Sequence, residues 1–459
     1  LGALAPFVFW FVGSLSTTAQ EGLPISQPAA VALMPNVVQE GLPMPQPAAA
    51  SPAPAKDETG KLDLPACRRI AMEKQPALAA ARATLAAAQS RLQALENLHL
   101  AGIVRHDIGI RRHQACLGVQ VAQAQLTQAE WDTIYSVTRT YVGVLYAQAQ
   151  LKVADRVLSD TPEGLPFLRD LAANIYKDRT RPDVKAWNVD QIEVYISVAR
   201  GRKQEGVEGL ERAKAGLREA MGVDVNYPID LSDQKMPTID IPVDADTVIA
   251  LALQRRGEIS QTALVNDIVG LEVKAQGTSH HPKMETFASN SDLHAQPIPP
   301  GARDGEYRPA AIGFEMPVEL VGHKNDRVER AEALHARASA VYEKTRGLVS
   351  LEAKSAYLRW LETKNQVKEY SEAKTKARQV YDTLRGDSGF NPKDKAGAKP
   401  TLEDLLTAAV QASQTEVQAN QAQYLHLLSL AALERVTAGG VNPGFETLAP
   451  VPADNNGKK

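Results

Sequence analysis

The side chains able to do chemistry are few and poorly spaced for it. Five of the nine histidines fall in two groups, His99, His106 and His113, and the adjacent pair His280 and His281. A metal needs ligands that converge, commonly a pair four apart on one helical face. Adjacent histidines in extended backbone point to opposite faces, and the nearby carboxylates have no ligand-like spacing. Histidines in a solvated loop or facing lipid headgroups fit the pattern better than a metal site does. Cys67 and Cys116 lack metal-finger spacing,. Near opposite ends of one helix of about 50 residues they would stand tens of ångströms apart, beyond disulfide reach. The glycines between 201 and 216 lack a phosphate-loop pattern and read as weak spots in a helix,. Arg105, His106, Arg111 and Arg112 form a basic patch that suits anionic lipid headgroups or a solvated turn equally,. No Ser/His/Asp or Cys/His arrangement and no recognisable pair of carboxylates points to catalysis, so neither an enzyme nor a cofactor is expected. Two Thr-x-x-Asp signatures remain, Thr180 with Asp183 and Thr401 with Asp404. Each reads as a capping box, in which the two side chains satisfy backbone N–H groups at a helix start, worth about 1 kcal/mol.

The elements that would carry these residues are mostly helices. Ile312, Phe314, Met316, Val318 and Leu320 alternate with Gly313, Glu315, Pro317 and Glu319, the period of a strand with one apolar face,. Beyond Gly322 there is no proline until Pro392, and Leu334, Ala338, Val341, Leu348, Leu351, Leu358 and Leu361 recur at threes, fours and sevens. That spacing predicts a coiled-coil helix to about Arg385, a rod of about 90 Å. Leu78, Ala81, Leu85, Ala88, Leu92 and Leu95 form a strict heptad seam in an earlier helix,. A second proline-free tract runs from Cys116 to Pro162, and a third from near Pro182 towards Gly222. The aromatic share of 5% and the Ala/Leu/Gln-rich tracts point to helix packing rather than a thick globular core,. The fold class predicted is mainly α: long antiparallel coiled-coil helices with a small β-hairpin part. A net charge of −3 with mixed signs and no basic stripe argues against nucleic acid as a partner,.

In chain order, residues 1–19 read as a signal-peptide-like core with a cleavage point after Ala19, the sequence beginning inside that segment; a buried strand is the alternative,. A spanning helix needs about 20 apolar residues, and this run is shorter. Residues 20–60 form a Pro/Ala-rich tether in which Gln20-Glu-Gly-Leu-Pro24 returns as Gln39-Glu-Gly-Leu-Pro43,. A helical unit then occurs twice, over 61–243 and 244–440, followed by a disordered tail over 441–459. Gln75-Pro-Ala-Leu78 corresponds to Arg256-Gly-Glu-Ile259 at an offset of 257 − 76 = 181, and the tract from Tyr141 to that from Tyr357 at 357 − 141 = 216. The difference, 216 − 181 = 35 residues, is an insertion in the second half. Thr180 and Thr401 are matched as the corresponding helix starts, with Asp183 as the counterpart of Asp404.

Two tandem halves, each reading helix, β hairpin, very long helix, capped turn and returning helix, resemble the TolC family of outer-membrane efflux proteins over about residues 62–440. The resemblance rests on the Pro-Ala-Leu and Gly-Glu-Ile openings, on Met316-Pro317-Val318-Glu-Leu-Val-Gly322 leading into Arg327-Val-Glu-Arg-Ala331, and on the matched Tyr141 and Tyr357 tracts and the two Thr-x-x-Asp turns. It implies a homotrimer whose strands build a barrel in outer-membrane lipid and whose helices line a tunnel through the periplasm. It implies two partners, a periplasmic adaptor and an inner-membrane transporter. It also implies that Asp183, Glu403 and Asp404 lie at the periplasmic aperture, although Thr407 stands where the family carries a second acidic residue. The hairpins depart from the family. Lys283 to Ser289 can pair with Ala310 to Leu320 across the loop at 291–305, but only about ten residues of poor alternation flank the turn near His106 and Asp107 on either side. A membrane strand needs roughly 9–11 residues. The shortened first hairpin therefore also suits a periplasmic coiled-coil scaffold or adaptor-like protein without a functional barrel.

Overall fold

A computed structural model describes residues 61–98, 107–181, 183–233, 235–278, 283–287, 318–386, 390–392 and 400–445. These belong to one compact unit, Pro54–Lys459. The leader-like segment, the Pro/Ala tether, the turn at 99–106 and the loop at 291–305 lie outside the described residues.

The helices begin and end where local chemistry dictates. Helix α1 (Leu64–Lys74) starts at Asp63, whose carboxylate accepts the Ala66 N–H at 2.7 Å, and stops at an extended Gln75. Pro76 follows, and a proline disfavours helical backbone in the residue before it. Helix α2 (Pro76–Glu96) continues at once. Its predicted seam is the face it buries: Leu78 is buried, Ala81, Leu85, Ala88, Leu92 and Leu95 are half-buried, and the residues between them are exposed. This face packs on α3 (Ile108–Val157). Helix α4 (Leu165–Asp178) ends on Arg179 in the left-handed region, and α5 (Ala186–Met221) ends on left-handed Gly222. Helices α6 (Ala245–Arg255) and α7 (Gly257–Thr278) lead into strand β1 (Lys283–Phe287), which pairs antiparallel with β2 (Val318–Gly322) in the register Lys283 to Gly322 through Phe287 to Val318. Helix α8 (Lys324–Arg385) has 62 residues and α9 (Leu402–Val436) has 35. At 1.5 Å per residue α8 is about 93 Å long.

The offsets recur in the element bounds. Helices α6 and α1 start 245 − 64 = 181 apart, as do their capping residues Asp244 and Asp63. Helices α8 and α3 start 324 − 108 = 216 apart, and α9 and α5 start 402 − 186 = 216 apart. Even the left-handed residues at the ends of α5 and α9, Gly222 and Ala438, are 216 apart. Between α2 and α3 lie 107 − 96 = 11 residues, and between α7 and α8 lie 323 − 278 = 45.

Two hydrophobic clusters hold the helices together. One joins α1, α3, α5, α6, α8 and α9 through Ile70, Val144, Leu217, Val248, Trp360 and Leu433. The other joins α4, α5, α8 and α9 through Leu168, Ile175, Ile192, Tyr381 and Leu405. The connection at 222–244 is strapped to the first cluster by Tyr141, whose O–H donates to Asp233 at 2.7 Å, and by Gln423, whose amide donates to the Met236 carbonyl at 2.9 Å.

Three expectations are corrected. The residues after Asp107 are the start of α3, not a strand, because the backbone from Arg111 onward closes helical hydrogen bonds beginning with the Asp107 carbonyl. The tail does not begin at 441: Val441 and Phe445 are buried, the Val441 N–H donates to Thr437 Oγ1 at 3.0 Å, and Arg68 lies 5.4 Å over the Phe445 ring. Cys67 and Cys116 are both free, but they sit on different helices, α1 and α3.

Candidate functional site at the helix tips

At the ends of α4 and α8 and the starts of α5 and α9, the second hydrophobic cluster carries the residues singled out in the sequence. Thr401 begins α9: its Oγ1 accepts the Asp404 N–H at 3.1 Å, and Asp404 Oδ2 accepts the Thr401 N–H at 2.9 Å and its hydroxyl at 2.8 Å. Reciprocal satisfaction of two otherwise orphaned N–H groups is what stops the helix fraying at this end. Glu403 and Asp404 are both exposed.

The first half does not repeat this at Thr180. Helix α5 starts at Ala186, with extended Lys185 as its capping residue. Offset 216 pairs Lys185 with Thr401 and Asn188 with Asp404, and Asn188 Oδ1 accepts the Lys185 N–H at 2.9 Å, as Asp404 does for Thr401. The counterpart of Asp404 is therefore Asn188, and Asp183 lies outside the helix. The reason is Arg181. Its guanidinium takes the Asp183 carboxylate bidentately, Nε to Oδ1 at 3.2 Å and Nη2 to Oδ2 at 2.9 Å, so that carboxylate is engaged away from a helix start.

Arg181 ties the two halves together. Its side chain is fully buried, Nη1 donates to the Asn391 and Pro400 carbonyls at 3.3 and 3.4 Å, and the guanidinium lies 4.8 Å over the Phe390 ring. A planar fork of five donors serves a carboxylate and two carbonyls at once, which a lysine could not do. Neither Arg181 nor Asn188 stood out in the sequence as a tip residue. Asn188 is found by carrying the Tyr141 to Tyr357 offset forward; Arg181 has no local signature beyond its nearness to Asp183.

Around this centre, the Tyr381 hydroxyl donates to the Pro162 carbonyl at 2.7 Å, and burial pushes its phenol up from the usual range. Arg378 pairs with Glu163, and Lys374 with Glu416 at 3.1 Å. Burial works against a charged Glu416, but Arg156 and Lys374 outweigh it and hold the carboxyl below its ordinary range. The tips are thus closed by charge-assisted contacts laid over an apolar cluster.

At the other end of the long helices, Arg111 pairs with Glu272, and Arg112 donates to the Leu95 carbonyl at 2.9 Å. Arg111 and Arg112 of the basic patch are used within the fold, while Arg105, His99, His106, His280 and His281 lie outside the described residues. Among the described residues no three His, Cys, Asp or Glu side chains are grouped to hold a metal ion, and no helix is long and apolar enough to cross a membrane.

No protein-family model matches this chain, and no curated protein matches its sequence. Solved structures do match. The outer-membrane channel OprN shares a TM-score of 0.62 at 16% identity, over 88% of this chain and 99% of that one. The open state of the Neisseria gonorrhoeae MtrE outer membrane channel gives 0.58 at 14%, over 82% and 89%. The outer membrane protein VceC of Vibrio cholerae gives 0.59 at 13%, over 82% and 96%. The chain has the fold of these proteins. This is the TolC-like fold, with its long helices and internally repeated elements.

Proposed function

We propose that the chain is the duct component of an export assembly, passing small molecules or proteins passively across the periplasm and the outer membrane. The observation that carries this reading is the extent of the likeness, which takes in 88% of this chain and 99% of OprN. Energy comes from an inner-membrane transporter, and a periplasmic adaptor joins it to the helix tips. The chain resides in the outer membrane, with the β1–β2 hairpin directed into the lipid and the helices extending into the periplasm. The units 61–243 and 244–440 are two copies of one ancestral element.

The duct works as a homotrimer. Helix α8 leaves Leu351, Leu358 and Leu361 exposed by 39, 52 and 38%, and α5 leaves Trp187, Val194 and Val198 exposed by 56, 61 and 45%. These are heptad-spaced apolar stripes that their own chain does not cover, and burial against further copies removes them from water. The number three follows the resemblance to the TolC family. At the tips, repeated copies would bring Glu403 and Asp404 into a ring, and carboxylates ringed at a constriction attract cations. Asp183 contributes mainly by holding Arg181.

The second reading, a periplasmic coiled-coil scaffold, is favoured by the 11-residue connection between α2 and α3. Cell fractionation followed by sedimentation of detergent-extracted protein separates the two. A trimer recovered from outer membranes supports the duct; a monomer released with the soluble periplasm leaves the scaffold.

A further inference from the structure

We infer that the cavity where the tips of the two halves meet binds a small amphiphilic carboxylate, an acid whose apolar body is a single ring. A duct and a scaffold would carry such a site alike. The cavity has a volume of about 320 Å³, and its walls come from both halves: Phe167, Leu168 and Leu171 on α4, and Phe390 and Leu405 beyond the end of α8. Pro162, in the turn before α4, and Arg385, the last residue of α8, complete it. The turn that carries Pro162 exists because one helix is broken and its counterpart is not. Offset 216 matches the end of α8 to 385 − 216 = 169, inside α4, yet the first half is interrupted between Val157 and Leu165. The Gly164 N–H donates to the Thr161 carbonyl at 2.8 Å, and a Cβ at this position would fall 1.8 Å from the Ser159 carbonyl oxygen, so only glycine fits. Helix α8 holds the turn in place: the Tyr381 hydroxyl donates to the Pro162 carbonyl at 2.7 Å, and Arg378 pairs with Glu163.

The lining is apolar except at one point. Leu168, Phe390 and Leu405 are buried and form the floor, while Phe167 and the Arg385 side chain, exposed by 36 and 34%, stand at the mouth. The neighbouring cations are engaged, Arg181 by Asp183 and Arg378 by Glu163. Arg385 is not held in this way. Its nearest carboxylate is Asp382, with Nη2 to Oδ1 at 3.8 Å, and the other oxygen of Asp382 already lies 3.3 Å from Arg378 Nε. Among the described residues, none accepts a hydrogen bond from the Arg385 guanidinium, which rests 5.7 Å from the Tyr381 ring. A guanidinium is a planar fork that fits a carboxylate through two parallel bonds. Pockets that hold small molecules begin at about 300 Å³ and pair an apolar body with a few polar contacts. A carboxylate on Arg385, with its ring between Phe167 and Phe390, meets both conditions. A second charge on the ligand would be buried unpaired against Leu168 and Leu405, so a monoanion is selected. Because the walls belong to both halves, an occupant joins α4 to the start of α9 and stabilises the tip by mass action.

Fluorine NMR of para-fluorobenzoate with the full-length chain, kept in a neutral detergent, tests this. The benzoate should bind saturably, and para-fluorobenzamide, the same ring without the charge, about tenfold more weakly. Arg385→Gln should weaken the benzoate about tenfold and leave the benzamide unchanged, whereas Phe167→Ala should weaken both about threefold. Neither side chain is buried, so both variants should keep the fold, which hydrogen exchange of α4 without ligand checks. Saturating benzoate should slow exchange in α4 and at the start of α9 together, with α1 unchanged. No saturable binding to the wild-type chain, equal affinity for the two ligands, or an Arg385→Gln chain that binds the benzoate as wild type does would each overturn the inference. Binding that protects neither α4 nor α9 would place the ligand elsewhere and overturn it as well.

Discussion

Arg181→Met should loosen the tips without unfolding the rest of the chain. The substitution keeps a long stem but removes the charge that holds Asp183 and the donors to the Asn391 and Pro400 carbonyls. Breaking a fully buried pair costs about 3–5 kcal/mol. The Asp183 side chain is 27% exposed, so water recovers part of that. About 1 kcal/mol for each carbonyl that loses its donor, and about 1 kcal/mol for the partly rehydrated carboxylate, sum to about 3 kcal/mol. Because the apolar cluster at the tips is separate from the one around α1, the loss should stay local,. At about 1.4 kcal/mol per tenfold, hydrogen exchange of protected amides in α4 and the first turns of α5 should accelerate about a hundredfold, with α1 unchanged. Equal acceleration in α1 and α4 would refute the separation of the two clusters. No change in α4 would refute the role of Arg181.

Other substitutions probe the same structure. Thr401→Ala should cost the α9 start about 1 kcal/mol, whereas Lys185→Ala should cost α5 almost nothing, since only backbone groups of Lys185 cap that helix; exchange in the first turns of each helix reads both,. Gly439→Ala forces a side chain into left-handed backbone at φ 70, with its Cβ 2.1 Å from Trp131 Cη2, and should destabilise by about 2–5 kcal/mol,. Gly347→Ala, in open space on α8, should stabilise by about 0.5–1 kcal/mol, both measured by denaturant unfolding,. Glu416 has a folded-state pKa below its unfolded value of about 4.3, so its stabilisation is present above that pH and is lost as the pH falls through the folded value,. Glu416→Gln should flatten the acid side of tip stability below about pH 4.3 and leave neutral pH less stable than wild type.

Much of the architecture was legible because its causes are local and periodic. The heptad from Leu78 to Leu95 marks the buried face of α2, and the 181 and 216 offsets recur in the element starts. Thr401 and Asp404 carry a capping signature whose partners are three residues apart, so sequence alone suffices. The same signature at Thr180 misleads because a long-range partner wins. Arg181 reaches the second-half carbonyls of Asn391 and Pro400, more than 200 residues away in sequence, and takes Asp183 with it. Helix α4 was also missed, being short and lying between the long tracts that dominate the pattern. The start of α3 as early as Ile108 was not legible, because the contacts of Arg111 and Arg112 join residues whose closeness no periodicity reveals.

The duct reading meets its most direct test in planar bilayers, using the complex as extracted from outer membranes. The account predicts stepwise conductance, and a fall in cation preference when Asp404→Lys reverses the charge at the exposed start of α9,. A complex that never conducts, or one whose ion preference ignores position 404 while conducting normally, would contradict it.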